Sequence, residues 1–286
     1  MNEAATPWLR FLRLLVTVVP GAVWLFLFVL LPTLLVLYAS FLQRGPYGEL
    51  VGPLDLANYL RLLDPLYLEV FLRSLGLGAL ATLGAVLVGL PVAFYIAHHP
   101  RKDFLLFLLI LPFLTNFLIR VYAWLVLLQR EGVVNALLAL FHLGPLELYP
   151  SYFAVLLATV YTYLPFFVLP LYAAVERIDW GLLEAAYDLG ATPFRGFLHA
   201  VLPQVYPGLF AGAVLVFIPA MGTFVISDLL GAGRVVLIGN LIQQQFGLVR
   251  DWAFGAALSV VLMAFVLMAL YLYARLQGER GLDELV

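Results

Sequence analysis

Cysteine is absent from all 286 residues. Disulfides, thiol nucleophiles and cysteine-based zinc sites are excluded together. Charge is scarce as well: Asp, Glu, Lys and Arg make up 11% of the chain, against about a quarter in an ordinary soluble domain. Nor is there a basic excess. Fifteen Lys and Arg face 17 Asp and Glu, for a net charge of −2, so the electrostatic footprint of a nucleic-acid-binding protein is missing. Lys102, the single lysine, follows Pro100-Arg101 rather than a glycine-rich loop, and the chain therefore carries no phosphate cradle for ATP. His98, His99, His142 and His199 share no ligand or dyad spacing. No metal site and no catalytic constellation is expected, and hence no enzyme.

What fills the sequence instead is apolar: 64% hydrophobic residues and a mean hydropathy of +1.04. A soluble fold of this size could not bury so much apolar surface, so lipid is the expected solvent. A helix crosses the hydrocarbon core in about 20 residues. Gaps between charges give six such spans, at about 14–41, 74–98, 104–128, 150–175, 207–228 and 252–274. Their apolar runs are continuous, as in Leu25-Phe26-Leu27-Phe28-Val29-Leu30-Leu31, which rules out the in–out alternation of a barrel strand. The reading is an all-α, polytopic membrane protein formed by one transmembrane domain over residues 1–286. The first span is far longer than a signal core and reads as a retained anchor.

Arg10, Arg13, Arg101, Lys102, Arg177, Arg195, Arg275 and Arg280 flank one set of loops. The positive-inside rule places that side, with both termini, in the cytoplasm. On the opposite side, Asp55 followed by Leu56, Leu60 and Leu63 predicts a short capped helix along the membrane surface. The polar run Asn240 to Phe246 predicts a second surface helix or a re-entrant turn. Pro112, Pro165, Pro170 and Pro219 are kink candidates within spans.

The segment 176–206 is too long for an ordinary connection and too ordered in composition for a floppy linker. It parses as two short helices. Asp179 caps the first and Gly190 ends it in the left-handed conformation. Thr192-Pro193 starts the second, and Pro203 and Pro207 stop it before the membrane. Leu182, Leu183, Ala186 and Leu189 form an apolar face, with Glu184 and Asp188 on another. Physically the pair is either a packed cover for helix ends or a docking element.

Glu184-Ala185-Ala186, Gly190 and Leu202-Pro203 stand at the spacing of the EAA loop of ABC importer permeases, which this segment resembles. Ala200 replaces the family's isoleucine. Three further stretches, Leu111 to Trp124, Leu164 to Tyr172 and Ser227 to Gly231, together with Arg250 to Gly255, are similar to spermidine/putrescine-type permeases, and to the first of the two permeases in such a system. The resemblance implies a type I importer permease fold in a bacterial inner membrane, with the EAA loop as a cytoplasmic coupling helix. Glu184, Ala185, Ala186, Tyr187, Gly190, Leu202 and Pro203 would dock a cytoplasmic ATPase dimer. A second, homologous permease would complete a heterodimer, and an extracytoplasmic binding protein would deliver the substrate. ATP and Mg would be used by the ATPase, with no cofactor bound by this chain. The implied cargo is a polyamine; another organic cation, an amino-acid-like solute or a phosphonate is the alternative. A self-sufficient secondary transporter would need a repeat and span carboxylates, and neither is visible.

Polar residues within spans face a cavity or another helix. Asn116 lines the path or bonds a neighbouring helix. Arg120 snorkels, pairs with Asp228 or organises a gate. Asp228 meets a substrate ammonium or pairs with Arg120 or Arg234. Tyr122, Trp124, Tyr161 and Tyr163 offer cation–π faces, although an interfacial aromatic belt explains Tyr122 and Trp124 equally well.

Overall fold

A computed structural model of the chain describes residues 7–283. The basic side chains of Arg10, Arg13 and Arg280, used above for orientation, lie outside what it describes. In chain order the elements are α1 (Pro7–Leu25), α2 (Leu31–Ser40), β1 (Gln43–Arg44), β2 (Leu50–Val51), α3 (Ala57–Arg61), α4 (Pro65–His98), α5 (Lys102–Ile110), α6 (Phe117–Leu128), α7 (Val133–Leu140), α8 (Tyr152–Val175), α9 (Trp180–Asp188), α10 (Pro193–Gly196), α11 (Leu202–Met221), α12 (Val225–Gly231), α13 (Ile238–Gln244) and α14 (Trp252–Asp283). Wide π-turns at Phe26–Leu30, Phe197–Val201 and Gln245–Val249 interrupt the helices without ending them, whereas a 3₁₀ turn occupies Leu111–Leu114. The chain is helical, as expected. Among the described residues, six stretches are long and apolar enough to cross a membrane: Val16–Ser40, Pro65–His98, Phe117–Leu140, Tyr152–Val175, Pro193–Met221 and Trp252–Tyr271.

Two compact units emerge, Pro65–Leu241 and the described residues on either side of it. The larger unit has α4, α8 and α11 at its centre. They approach closely because small residues line their contacts. At Gly212 of α11 a Cβ would stand 2.7 Å from the Phe167 carbonyl oxygen, and at Gly208 the same distance from that of Pro170. Phe167, Val168, Leu171, Val205 and Val216 are fully buried here. In the other unit α14 packs on α2 and α3. Asp251 caps α14, accepting from the Phe254 N–H at 3.1 Å, and takes the Arg61 guanidinium at 2.8 Å.

The structure differs from the sequence reading in five places. The stretch expected as one span, 104–128, is two helices, because Pro112 withholds an N–H and Asn116 restarts the ladder by accepting from the Leu118 N–H at 2.8 Å. The stretch 207–228 likewise divides: α11 ends at Met221, and Asp228 lies on the separate α12. Pro203 and Pro207 do not stop a helix. Pro193–Met221 runs through both, since the π-turn at Phe197–Val201 loosens the ladder and Gln204 Nε2 donates to the Ala200 carbonyl at 2.7 Å. Asp55 is not the cap of α3; its Oδ1 accepts from the adjacent Leu56 N–H and its Oδ2 from Gln43. The polar run beginning at Asn240 is no surface helix at its start, where Gly239, Asn240 and Leu241 are buried.

Candidate functional site

The helix pair following α8 is built by local chemistry. Asp179 Oδ1 accepts from the Gly181 N–H at 2.9 Å and starts α9. At its end the Ala191 N–H reaches the Ala186 carbonyl and the Gly190 N–H that of Tyr187, a Schellman closure that requires the left-handed Gly190, at φ +82°. Thr192 caps α10, with Pro193 at its first turn. The two short helices are pressed together at the buried Gly196, where a Cβ would meet Leu183 at 2.8 Å and Tyr187 at 3.0 Å. Gln204, which the sequence did not single out, accepts from the Asp179 N–H at 2.9 Å and so fastens the start of α9 to the root of α11. His98 closes the end of α4 against α9, edge-on to Trp180 at 5.0 Å.

This frame leaves an uncovered surface. Glu184 and Ala185 are exposed, while Ala186 is half-buried. Tyr187, Leu182, Phe194 and Leu189 are 44%, 53%, 73% and 89% exposed. The expected apolar face is therefore split, with Leu183 turned inward to the core and Leu182 and Leu189 outward. Leu202 packs into the core, and Pro203 stands in the first turn of α11. Both belong to the root of the helix rather than to the exposed surface.

Beside the pair, Lys102 donates to Glu176, the residue that ends α8. Hydrogen bonds from Lys102 and then Tyr172 hold the Glu176 carboxyl below the usual carboxylate range, and the Glu176 hydrogen bond and charge raise Lys102. A carboxyl that titrates lower in the fold than in the unfolded chain contributes fully above its ordinary range, and the contribution is lost as the pH falls through the lowered value. Lys102 keeps its side until the pH rises through its raised value. Thermal unfolding of the wild type and Glu176→Gln is expected to differ at neutral pH and to converge on acidification through the carboxylate range; a constant difference would exclude the pair as the cause.

The residues expected to line a path fall into separate groups. Trp124 stands edge-on to Tyr161 at 5.4 Å. Arg120 lies over Phe113 at 4.9 Å and Phe117 at 5.9 Å; Phe113 is edge-on to Phe166 at 5.1 Å, and Phe166 neighbours Tyr163 at 6.3 Å. Asp228 is exposed, and its Oδ1 accepts from Asn240 Nδ2 at 2.5 Å. No ion pair joins Asp228 to Arg120 or Arg234 among the described residues; Arg234 donates to the Pro150 carbonyl. Asn116 is spent as the cap of α6, and Tyr122 is 52% exposed on the open face of that helix. Phe113, Phe117 and Phe166 were not singled out in the sequence, and Asn240 was read only as the start of a polar run. Phenylalanines carry no signal in so apolar a chain, but the polar Asn240 did.

The structure thus sets membrane-length helices beside a capped, partly apolar pair of short helices, the second of which runs on into a span. Residues 85–278 match the family described as binding-protein-dependent transport system inner membrane component, and the chain belongs to that family. It is a multi-pass inner-membrane permease of an ABC importer. Among its relatives, the spermidine/putrescine transport system permease protein PotB of Escherichia coli (strain K12) is 45% identical over 258 residues, covering 88% of this chain and 93% of the relative. PotB of Haemophilus influenzae is 43% identical over 256 residues, covering 88% and 90%. Of solved structures, a chain of a bacterial ABC transporter involved in the import of the acidic polysaccharide alginate shares the fold with a TM-score of 0.72 at 19% identity, covering 94% of this chain and 96% of its own.

Proposed function

We propose that this chain carries a polyamine such as spermidine or putrescine inward across the inner membrane, receiving it from a soluble extracytoplasmic binding protein and driven by a cytoplasmic ATPase dimer that uses ATP and Mg. The observation that carries this reading is the exposed surface of α9 and α10. Large apolar side chains stand in the open beside Glu184, on α9 and on the turn that leads into the Pro193–Met221 span, on a frame closed by caps and by Gln204. Such a patch on an ordered element marks an interface. A second permease subunit completes the pathway, both termini lie in the cytoplasm, and the segment 176–206 faces the ATPase. Glu184 supplies charge at the docking surface, Ala185 and Ala186 allow close approach, Tyr187 adds aromatic area, and Gly190 sets the turn.

Polyamine preference agrees with the PotB relatives and with Asp228, an exposed carboxylate held by Asn240. Trp124, Tyr161 and Tyr163 offer aromatic faces for ammonium groups. The test is uptake of labelled spermidine into proteoliposomes holding the two permeases, the ATPase and the binding protein. Uptake should require internal ATP and be competed by putrescine. Competition by a phosphonate or an amino acid instead, or uptake by this chain alone without nucleotide, would overturn the assignment. In the same assay Asp228→Asn, which keeps the shape that Asn240 needs, should lower polyamine uptake about tenfold, the loss of one charge-assisted contact, with ATPase docking unchanged. Wild-type kinetics in that variant would remove Asp228 from the path.

A further inference from the structure

Arg73 of α4 and Arg234, just past α12, line one cavity of about 490 Å³ where α4 meets the start of α8. Gly76 leaves it open, since a Cβ there would still lie 4.0 Å from the Tyr152 hydroxyl oxygen. Two guanidinium groups at one opening repel each other unless an anion lies between them. The chain supplies little of that anion. Arg73 pairs with Glu69 in the turn before it, and both side chains are exposed. Arg234 reaches the Pro150 carbonyl at 3.5 Å and meets no carboxylate among the described residues. Ser151, also on the wall, is spent as the cap of α8.

The depth of the cavity follows from α4. That helix ends at His98, against Trp180 of α9, and Arg73 lies about 37 Å from His98 along the axis. A hydrocarbon core is about 30 Å thick, and the headgroup layers bring the bilayer to about 40–45 Å. With its α9 end at one surface of the core, α4 carries Arg73 into the headgroup layer of the opposite leaflet. Below Arg73 the same face of the helix is apolar and open. Gly76, Leu80, Leu83 and Leu87 follow at the spacing of a single stripe, and the three leucines are 45%, 53% and 67% exposed. From Gly76 to Leu87 is about 16 Å, roughly half the thickness of the core.

We propose that the Arg73–Arg234 cavity binds an anionic phospholipid, with its phosphate between the two guanidinium groups and an acyl chain along Leu80, Leu83 and Leu87. The planar fork of arginine is shaped for a phosphate. Phosphatidylglycerol has the right chemistry, whereas phosphatidylethanolamine would bring its own ammonium against two arginines. A carboxylate of a soluble partner would meet the charge but leave the leucine stripe uncovered at hydrocarbon depth. A phospholipid meets both ends.

The chain is reconstituted in nanodiscs of phosphatidylcholine with a minor share of phosphatidylglycerol, extracted into mild detergent, and the lipid that stays bound is identified by mass spectrometry. Wild type should keep phosphatidylglycerol in preference to phosphatidylcholine. Arg234→Gln should lower its retention about tenfold, the loss of one charge-assisted contact, and Arg73→Gln should act in the same direction. Gly76→Leu, which leaves both charges in place and fills the cavity, should lower it as well. Variants that insert normally and keep phosphatidylglycerol like wild type would overturn the proposal, and so would equal retention of the two lipids by wild type. Displacement of the lipid by excess inorganic phosphate would assign the cavity to a soluble anion instead. Loss of the lipid from wild type when the second permease is bound would make the stripe a subunit contact. None of these readouts depends on polyamine uptake, so the lipid site and the cargo assignment stand or fall separately.

Discussion

Gly190→Pro is expected to abolish ATP-driven uptake while the chain still inserts in the membrane. The backbone at this position has φ +82°, and proline is locked near −65°. Its ring also removes the N–H that reaches the Tyr187 carbonyl at 2.9 Å. The Schellman closure opens, and α10 loses its fixed entry beside α9. Because Gly190 is exposed and a Cβ there would meet nothing within 4 Å, the change disturbs no packed core. A drop of at least about thirtyfold in uptake is expected, the scale of a lost interface hot spot. Glu184→Arg should do the same through charge alone. The readout is nucleotide-dependent uptake in proteoliposomes set against membrane-inserted protein level, with ATPase co-purification as the second measure. Wild-type uptake by either variant would count against docking at α9.

Gly212→Leu should fail at an earlier stage. Its Cβ would stand 2.7 Å from the Phe167 carbonyl oxygen and 3.0 Å from the Phe167 Cα. Backbone cannot move aside as a flexible side chain does, so α11 must separate from α8. Overpacking of this kind costs about 3 kcal/mol or more. Folded protein should fall sharply, and the remainder should unfold at lower temperature in detergent. The control is Gly21→Leu on α1, where nothing lies within 4 Å and no loss is expected. Equal stability of the two variants would mean that the α8–α11 contact does not depend on small residues.

Legibility in the sequence followed the range of the interaction. Asp179, Gly190, Thr192 and Pro193 could be placed beforehand because a cap or a left-handed stop is decided within a few residues. The break after Ile110 was missed for the same kind of reason, reversed. Eleven residues of uninterrupted apolarity, Phe104 to Leu114, hid the fact that Asn116 is a cap, and hydropathy is blind to a turn that stays apolar. Pro203 and Pro207 misled because the π-turn ahead of them is invisible in composition. Gln204 was out of reach altogether: its partner, Asp179, is 25 residues away and carries no pattern that points to it. Asn240 was judged by polarity alone. The fold satisfies it from three sides, through the Leu237 N–H, the Phe224 carbonyl and Asp228, and a polar side chain so satisfied can be buried. The local frame of α9 and α10 was thus more legible than the surroundings of Arg120, Trp124 and Asp228, which meet their neighbours only through tertiary contacts.

The unbroken run from Pro193 to Met221 has a mechanical meaning. The helix that begins beside α9 is the same one that crosses the bundle, with no joint between them except the loosened turn at Phe197–Val201. From that turn to Met221 the rod is about 30 Å long. A tilt of roughly five degrees about it would carry the far tip by about 3 Å, so a small swing at one end would become a larger stroke at the other.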